Sequence, residues 1–217
     1  MNVFAFVLAL VTSFFLGSIP FGLIIGSVVY GKDIRSVGSG NIGTTNAIRA
    51  LGFKGGALVF ILDFGKGVLS GLIALALFNA LASAPAADGS LLTKQAFLAV
   101  AFFGCIVGHI FSPWLNFKGG KGIAVAVGCL FVTFGPVGAC LELLIFGVLV
   151  ALTRYVSVGS IASALACPLF SIYYCWGDVF AWFLCTIAAL LVVWAHRGNI
   201  ERLLAGTENR IGSKKES

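Results

Sequence analysis

"GIAVAVGCLFVTFGPVGACLELLIFGVLVALTR", Gly122 to Arg154, decides how often this chain crosses a membrane. Its apolar part, 122–153, is 32 residues long. As one helix that is about 48 Å at ~1.5 Å per residue. A hydrocarbon core is ~30 Å thick and a spanning helix takes ~20 residues. The run is therefore too long for one span and short for two. Gly135-Pro136 sits near its midpoint, where a proline lacks the donor a helix needs and collides with the preceding turn. The reading is two short helices, 122–136 and 137–153, joined by a tight turn. A single kinked, tilted span is the alternative.

Working outward, further apolar segments run at about 3–29, 55–83, 95–115, 156–176 and 178–195. With the pair above they make seven. The composition agrees: 59% of residues are hydrophobic and 10% charged, against roughly 25% charged in soluble domains. The expected fold is all-α, a polytopic membrane protein with seven transmembrane helices, some short or broken. It forms a single domain over 1–217, with a membrane bundle at 1–195 and a cytoplasmic tail at 196–217. The first apolar stretch has no charged leading region and no clear small-residue cleavage site, so it reads as a helix that stays.

Charge placement tests the count. Lys32, Arg35, Arg49, Lys54, Lys118, Lys121, Arg154, Arg197, Arg202, Arg210, Lys214 and Lys215 all fall in one set of loops, 12 of the 14 basic residues. Lys66 lies nearer the same side, and Lys94 stands alone in the other set, at 84–94, 135–137 and 177–178. The positive-inside rule then puts the N-terminus outside and the C-terminus in the cytoplasm. Six spans would place either Arg154 or the basic tail outside. The net charge of +6 needs no nucleic-acid partner, because basic cytoplasmic loops face anionic membrane lipids.

The six cysteines (105, 129, 140, 167, 175, 185) lie in apolar stretches and form no CxxC pair. They read as small core residues, with no disulfide framework, no metal site and no cofactor.

The same topology gathers three unusual stretches on the cytoplasmic face. The first is "SGNIGTTNAIR", Ser39–Arg49. Its glycines, Gly40 and Gly43, let a backbone approach a ligand closely. Ser39, Asn41, Thr44, Thr45 and Asn46 add short neutral hydrogen-bonding groups, and Arg49 adds a planar, permanent cation. Such an array suits a phosphate. It is not a Walker A loop. The second is "GHIFSPWLNFKGGKG", Gly108–Gly122. Lys118 and Lys121, with Gly119, Gly120 and Gly122, open directly into an apolar helix, whose N-terminus favours anions. "FKGG" recurs at Phe53–Gly56, which suggests a second helix start of the same geometry. The third is "HRGNIERLLAGTE", His196–Glu208, where His196, Asn199 and Arg202 share roughly one helical face and Glu208 can orient a cation.

His109 and His196 are the two histidines of the chain, each at a cytoplasmic span end. Asp63 and Lys66, in "LDFGKG", read as a buried i, i+3 ion pair. Glu142, lone in the fifth span, stays unassigned. No GxSxG, zinc motif or HxxxxD box is present. A site rich in phosphate cradles and poor in nucleophiles points to substrates that bring their own charge.

Taken in order, "GSIPFG" at 17–22, "GSGNIGTTNAIR", "LDFGKG", "GHIFSPWLNFKGGKGIA", "RYVSVGSIAS" and "HRGNIERLLAGTE" resemble the bacterial acyl-phosphate:glycerol-3-phosphate acyltransferase family over nearly the whole chain. Thr44, Ser112 and Gly198 depart from the commoner pattern without removing a functional group. The resemblance implies transfer of a fatty acyl group from acyl phosphate to the 1-hydroxyl of sn-glycerol 3-phosphate, giving lysophosphatidic acid and phosphate. It implies seven spans with the site in cytoplasmic-face loops. It assigns catalytic roles to Ser39, Arg49, Lys121, His196 and Asn199. Binding roles go to Gly40, Asn41, Gly43, Thr45, Asn46, His109, Lys118, Gly119, Gly120, Gly122 and Ser157. A transporter or binder of a phosphate-bearing molecule is the other reading, since broken helices aimed at anions also occur there.

Overall fold

The computed structural model describes residues 2–82 and 93–212. Among these residues the secondary structure is entirely helical. Most of the predicted outer loop at 84–94, and Lys214 and Lys215, lie outside the described residues.

The first apolar segment is broken where the sequence reading kept it whole. Helix α1 (Asn2–Ser18) stops before Pro20, and a short α2 (Phe21–Ile24) continues into a π turn at Ile25–Val29. Proline frees carbonyls of the preceding turn, and inside a membrane these need partners. Ser112 Oγ donates to the Ser18 carbonyl at 2.7 Å and Lys66 Nζ to the Ile19 carbonyl at 2.7 Å.

Helix α3 (Thr44–Leu77) begins inside the segment expected to be a polar loop, 30–54, and changes direction at Gly52, whose φ is +79°. The turn Thr44–Leu51 is helical because the loop before it is tied to it. The Asn46 amide donates to the Ile34 and Asn41 carbonyls and accepts from Ser39 N–H. Helix α4 (Lys94–Ile110) is the most buried helix and runs through the middle of the bundle. Gly17 and Gly108 let α1 and α4 meet backbone to backbone, since a Cβ at either would lie 2.0–2.1 Å from a carbonyl of the other. Small residues at helix contacts are the usual membrane solution.

Helices α5 (Ile123–Thr133) and α6 (Gly135–Thr153) meet at a one-residue turn, Phe134, followed by Gly135 at φ +72°. Two helices and a tight turn are what the Gly-Pro pair predicts. At 11 residues, α5 covers only about 16 Å. Helices α7 (Val156–Tyr174), α8 (Val179–Ala195) and a short α9 (Arg197–Leu204) complete the chain. Five helices are long and apolar enough to cross a membrane, or six if α8 and α9, bent by 51°, count as one span. The chain is therefore a multi-pass helical membrane protein.

The ends of α1 and α4, the starts of α3 and α5, the α6–α7 junction and the end of α8 lie together. At the opposite end, the Thr93 hydroxyl donates to Asp178 Oδ2, tying the starts of α4 and α8. The main apolar core joins α4, α5, α7 and α8, and five of the six cysteines are buried in the bundle. Cys140, expected inside, is exposed on the outer face of α6. The Asp63–Lys66 pair is present, 2.7 Å apart and buried.

Candidate functional site: a cleft between loop cations and an apolar wall

One cavity of about 320 Å³ opens between the three polar stretches. Ser39, Asn41, Gly43, Thr44, Thr45, Asn46 and Arg49 line one side, Lys121 and Gly122 a second, and His196, Asn199, Arg202 and Glu208 a third. Ser157 and Ser160 lead from this polar mouth toward Phe60, Val127 and Phe146. The site thus has a cationic, hydrogen-bonding mouth and an apolar wall that follows the helices into the bundle.

Glu208 organises the mouth. Its Oε1 accepts from Asn199 Nδ2 at 2.8 Å and from Ser157 Oγ at 3.2 Å, and its Oε2 from Arg202 Nε at 2.8 Å. Asn199 Oδ1 in turn accepts from Lys121 Nζ. A chain of contacts therefore runs from Arg202 through Glu208 and Asn199 to the ammonium. Burial holds Lys121 down to about 8; neighbouring Arg202 adds to the depression, Glu208 opposes it, and Arg49 adds to it again. A buried cation whose charge is costly gains most from an arriving anion.

His196 is buried at the end of α8. Its Nδ1 lies 2.8 Å from the Val192 carbonyl, which can only accept, so Nδ1 carries the proton and Nε2 the lone pair. Burial lowers the ring to about 4, so it is neutral at pH 7. A neutral imidazole with a free acceptor nitrogen can orient a hydroxyl.

Several expected binding residues do other work. Gly119 N–H donates to the Ile110 carbonyl and Gly120 N–H to the His109 carbonyl. These amides cap α4 and are spent before any anion arrives, which corrects the expectation that they cradle one. Lys118 is exposed and lies outside the cavity lining, as does Gly40. His109 lines the cavity but is buried, and its Nδ1 accepts from Lys66 Nζ at 3.1 Å. It joins the Asp63–Lys66 pair to the loop above, where Gly120 lies against its Nε2. The second "FKGG" does not repeat the geometry. At 53–56 the positive-φ glycine, Gly52, precedes the motif, whereas at 117–120 it follows, at Gly122.

Sequence reasoning left Asp63, Glu142 and Ser160 outside the site, and all three line the cavity. Glu142 carried a signal, a lone acid in an apolar helix. Ser160 carried one too, three residues from Ser157 on the same helical face.

Fold and site together define a multi-pass helical membrane protein with a polar, cation-bearing cleft on an apolar channel. Comparison with known proteins narrows that class. The glycerol-3-phosphate acyltransferase family model matches residues 7–206, and the chain belongs to that family. It is 38% identical over 205 residues to glycerol-3-phosphate acyltransferase 2 of Bacillus anthracis, covering 94% of this chain and 98% of that one. It is 43% identical over 197 residues to the glycerol-3-phosphate acyltransferase of Anaeromyxobacter dehalogenans, covering 90% and 92%. It also resembles two crystal structures of PlsY (YgiH), an integral membrane glycerol 3-phosphate acyltransferase. The glycerol 3-phosphate form superposes with a TM-score of 0.81 at 35% identity, covering 95% of this chain and 96% of that one. The lysophosphatidic acid form gives 0.79 at 34%, covering 95% of each.

Proposed function

We propose that the protein transfers a fatty acyl group from acyl phosphate to the 1-hydroxyl of sn-glycerol 3-phosphate, the first acylation of phospholipid synthesis. The observation that carries this is the convergence of Arg49, Lys121, His196 and Asn199 on one cleft whose far wall is apolar. Two anionic head groups and one hydrocarbon chain have matching surfaces there. The glycerol hydroxyl attacks the acyl carbonyl carbon, the bond from that carbon to the phosphate oxygen breaks, and phosphate leaves. The hydroxyl proton passes to a phosphate oxygen, so no protein base is needed. Lys121 holds the glycerol phosphate, and Asn199 keeps the ammonium aimed. Ser39, Asn41 and Arg49, with Gly43, Thr45 and Asn46 shaping the loop, hold the acyl phosphate. His196 Nε2 and Ser157 orient the acceptor. Positioning and charge stabilisation supply the rate.

The membrane arrangement that goes with this reading has seven spans, with α5 as the short one. The N-terminus lies outside and the C-terminus in the cytoplasm of the bacterial inner membrane. Residues 1–217 act as one domain, because the tail from 196 supplies Asn199 and Glu208 to a site built on the bundle. The alternation of helix ends around the cleft supports it. Cysteine labelling at position 135, on a background without native cysteines, is expected from outside whole cells; labelling only from the cytoplasm would overturn the seven spans. For the reaction, purified protein with acyl phosphate and glycerol 3-phosphate is expected to form lysophosphatidate, and acyl-CoA or acyl carrier protein is not expected to replace the donor. Transport of glycerol 3-phosphate in vesicles without acylation would contradict the assignment.

A further inference from the structure

The mouth of the cleft accounts for the charged loops, but not for a carboxyl deep in its apolar part. Glu142, on α6, is 5% exposed and lines the cavity beside Leu143 and Phe146. Its Oε1 is buried with no hydrogen-bond partner among the described residues. The Cys167 thiol of α7 lies against the carboxyl. An acid inside a membrane helix is costly and seldom idle, and a buried polar atom without a partner costs more still. Neither the loop chemistry nor the ion pairs of the fold use this group.

Its depth can be read from α7. Ser157 stands at the mouth and Cys167 beside Glu142, ten residues on, or about 15 Å at ~1.5 Å per residue. An extended chain advances ~1.2 Å per bond, a three-bond residue spanning ~3.5 Å. A donor seated with its reacting carbonyl at the mouth would therefore bring a point about twelve bonds along its chain past Glu142. A plain hydrocarbon there leaves the carboxyl with the Cys167 thiol alone and one oxygen unpaired. A hydroxyl both donates and accepts, so it pairs with the group whether the carboxyl is ionised or protonated.

We infer that Glu142 is a specificity-determining residue of the acyl half of the cleft. It recognises acyl donors carrying a hydroxyl about twelve bonds from the reacting carbonyl and disfavours the saturated chain of equal length. This rests on the acyl-transfer reading above. Unmatched buried polar groups are how sites tell a hydroxylated substrate from its deoxy analogue.

The test compares kcat/KM for stearoyl, 12-hydroxystearoyl and 6-hydroxystearoyl phosphate at saturating glycerol 3-phosphate. The 6-hydroxy donor matches the polarity of the 12-hydroxy donor but places the hydroxyl at the wrong depth. Wild type is expected to prefer the 12-hydroxy donor over both others by at least about fivefold. Glu142→Gln, which can also donate and accept, keeps the preference. Glu142→Leu removes it, chiefly by improving the saturated donor. Equal use of the three donors by wild type would overturn the inference, and decides the matter even if the leucine variant does not fold. So would a preference that survives in Glu142→Leu, or one shared by both hydroxylated donors. No acylation with any donor would instead contradict the acyl-transfer reading on which it rests.

Discussion

The two Phe-Lys-Gly-Gly sequences, Phe53–Gly56 and Phe117–Gly120, are identical in letters and different in use. In both, the paired glycines let the backbone lie against a helix end just before them. A Cβ at Gly56 would fall 2.1 Å from Ile48 Cγ1, and one at Gly119 2.0 Å from the His109 carbonyl. In both, the lysine within the motif, Lys54 or Lys118, is exposed. The difference lies outside the four letters. After the second copy comes Lys121, and behind Lys121 stand Asn199 and Glu208. On the proposed reading, a basic glycine turn becomes an anion site only where buried acceptors from another part of the chain aim its cation.

The comparison breaks most sharply at Lys121. Lys121→Ala removes a charge-assisted contact of ~1.5–3 kcal/mol, so kcat/KM for glycerol 3-phosphate is expected to fall at least about tenfold. Steady-state kinetics on folded, detergent-purified variant check this. Lys121→Arg is expected to rescue only in part, because a flat fork does not replace a point charge. Next comes the support. Glu208→Gln keeps the shape but puts a donor where Asn199, Ser157 or Arg202 needs an acceptor. It is expected to raise KM for glycerol 3-phosphate several-fold while leaving KM for acyl phosphate near its wild-type value, a split that parallel titrations of the two substrates measure. Smallest are the controls: Lys54→Ala, Lys118→Ala and Lys94→Ala, the last at the end of the bundle away from the cleft, are expected to change kcat/KM by less than about twofold, as exposed substitutions usually do. A large loss at Lys118 but not Lys54 would return the motif itself to the site.

Much of this was legible in the sequence, and the limits are physical. Apolar run length and Gly135-Pro136 specify the α5–α6 turn because the bilayer thickness and the proline ring act locally. The Asp63–Lys66 pair follows from helical spacing alone. The three polar stretches could be sent to one face because charge bias sets orientation. What could not be read is which groups satisfy one another. Thr44–Leu51 is helical in a segment with little apolar pattern, held by the Asn46 amide twelve residues from Ile34. Gly119 and Gly120 look like an anion cradle until their amides are found on α4 carbonyls. Glu208 becomes the hub of the mouth through Ser157, 51 residues away. Such pairings are tertiary, and no periodicity encodes them.

In the proposed mechanism a charged Lys121 receives the phosphate of glycerol 3-phosphate. The most direct test is the pH profile of kcat/KM for that substrate, which reports groups of the free enzyme. Above pH 7 the phosphate monoester is already largely a dianion, with a second pKa of ~6. With Lys121 lowered to about 8, its charge is lost as pH rises through that value. In wild type, log kcat/KM is expected to turn down near pH 8 toward a tenfold loss per unit, while Lys121→Arg, lower at pH 7, stays level through about pH 9.5. A wild-type profile that stays level to the same pH, or that turns down together with the arginine variant, would contradict the claim.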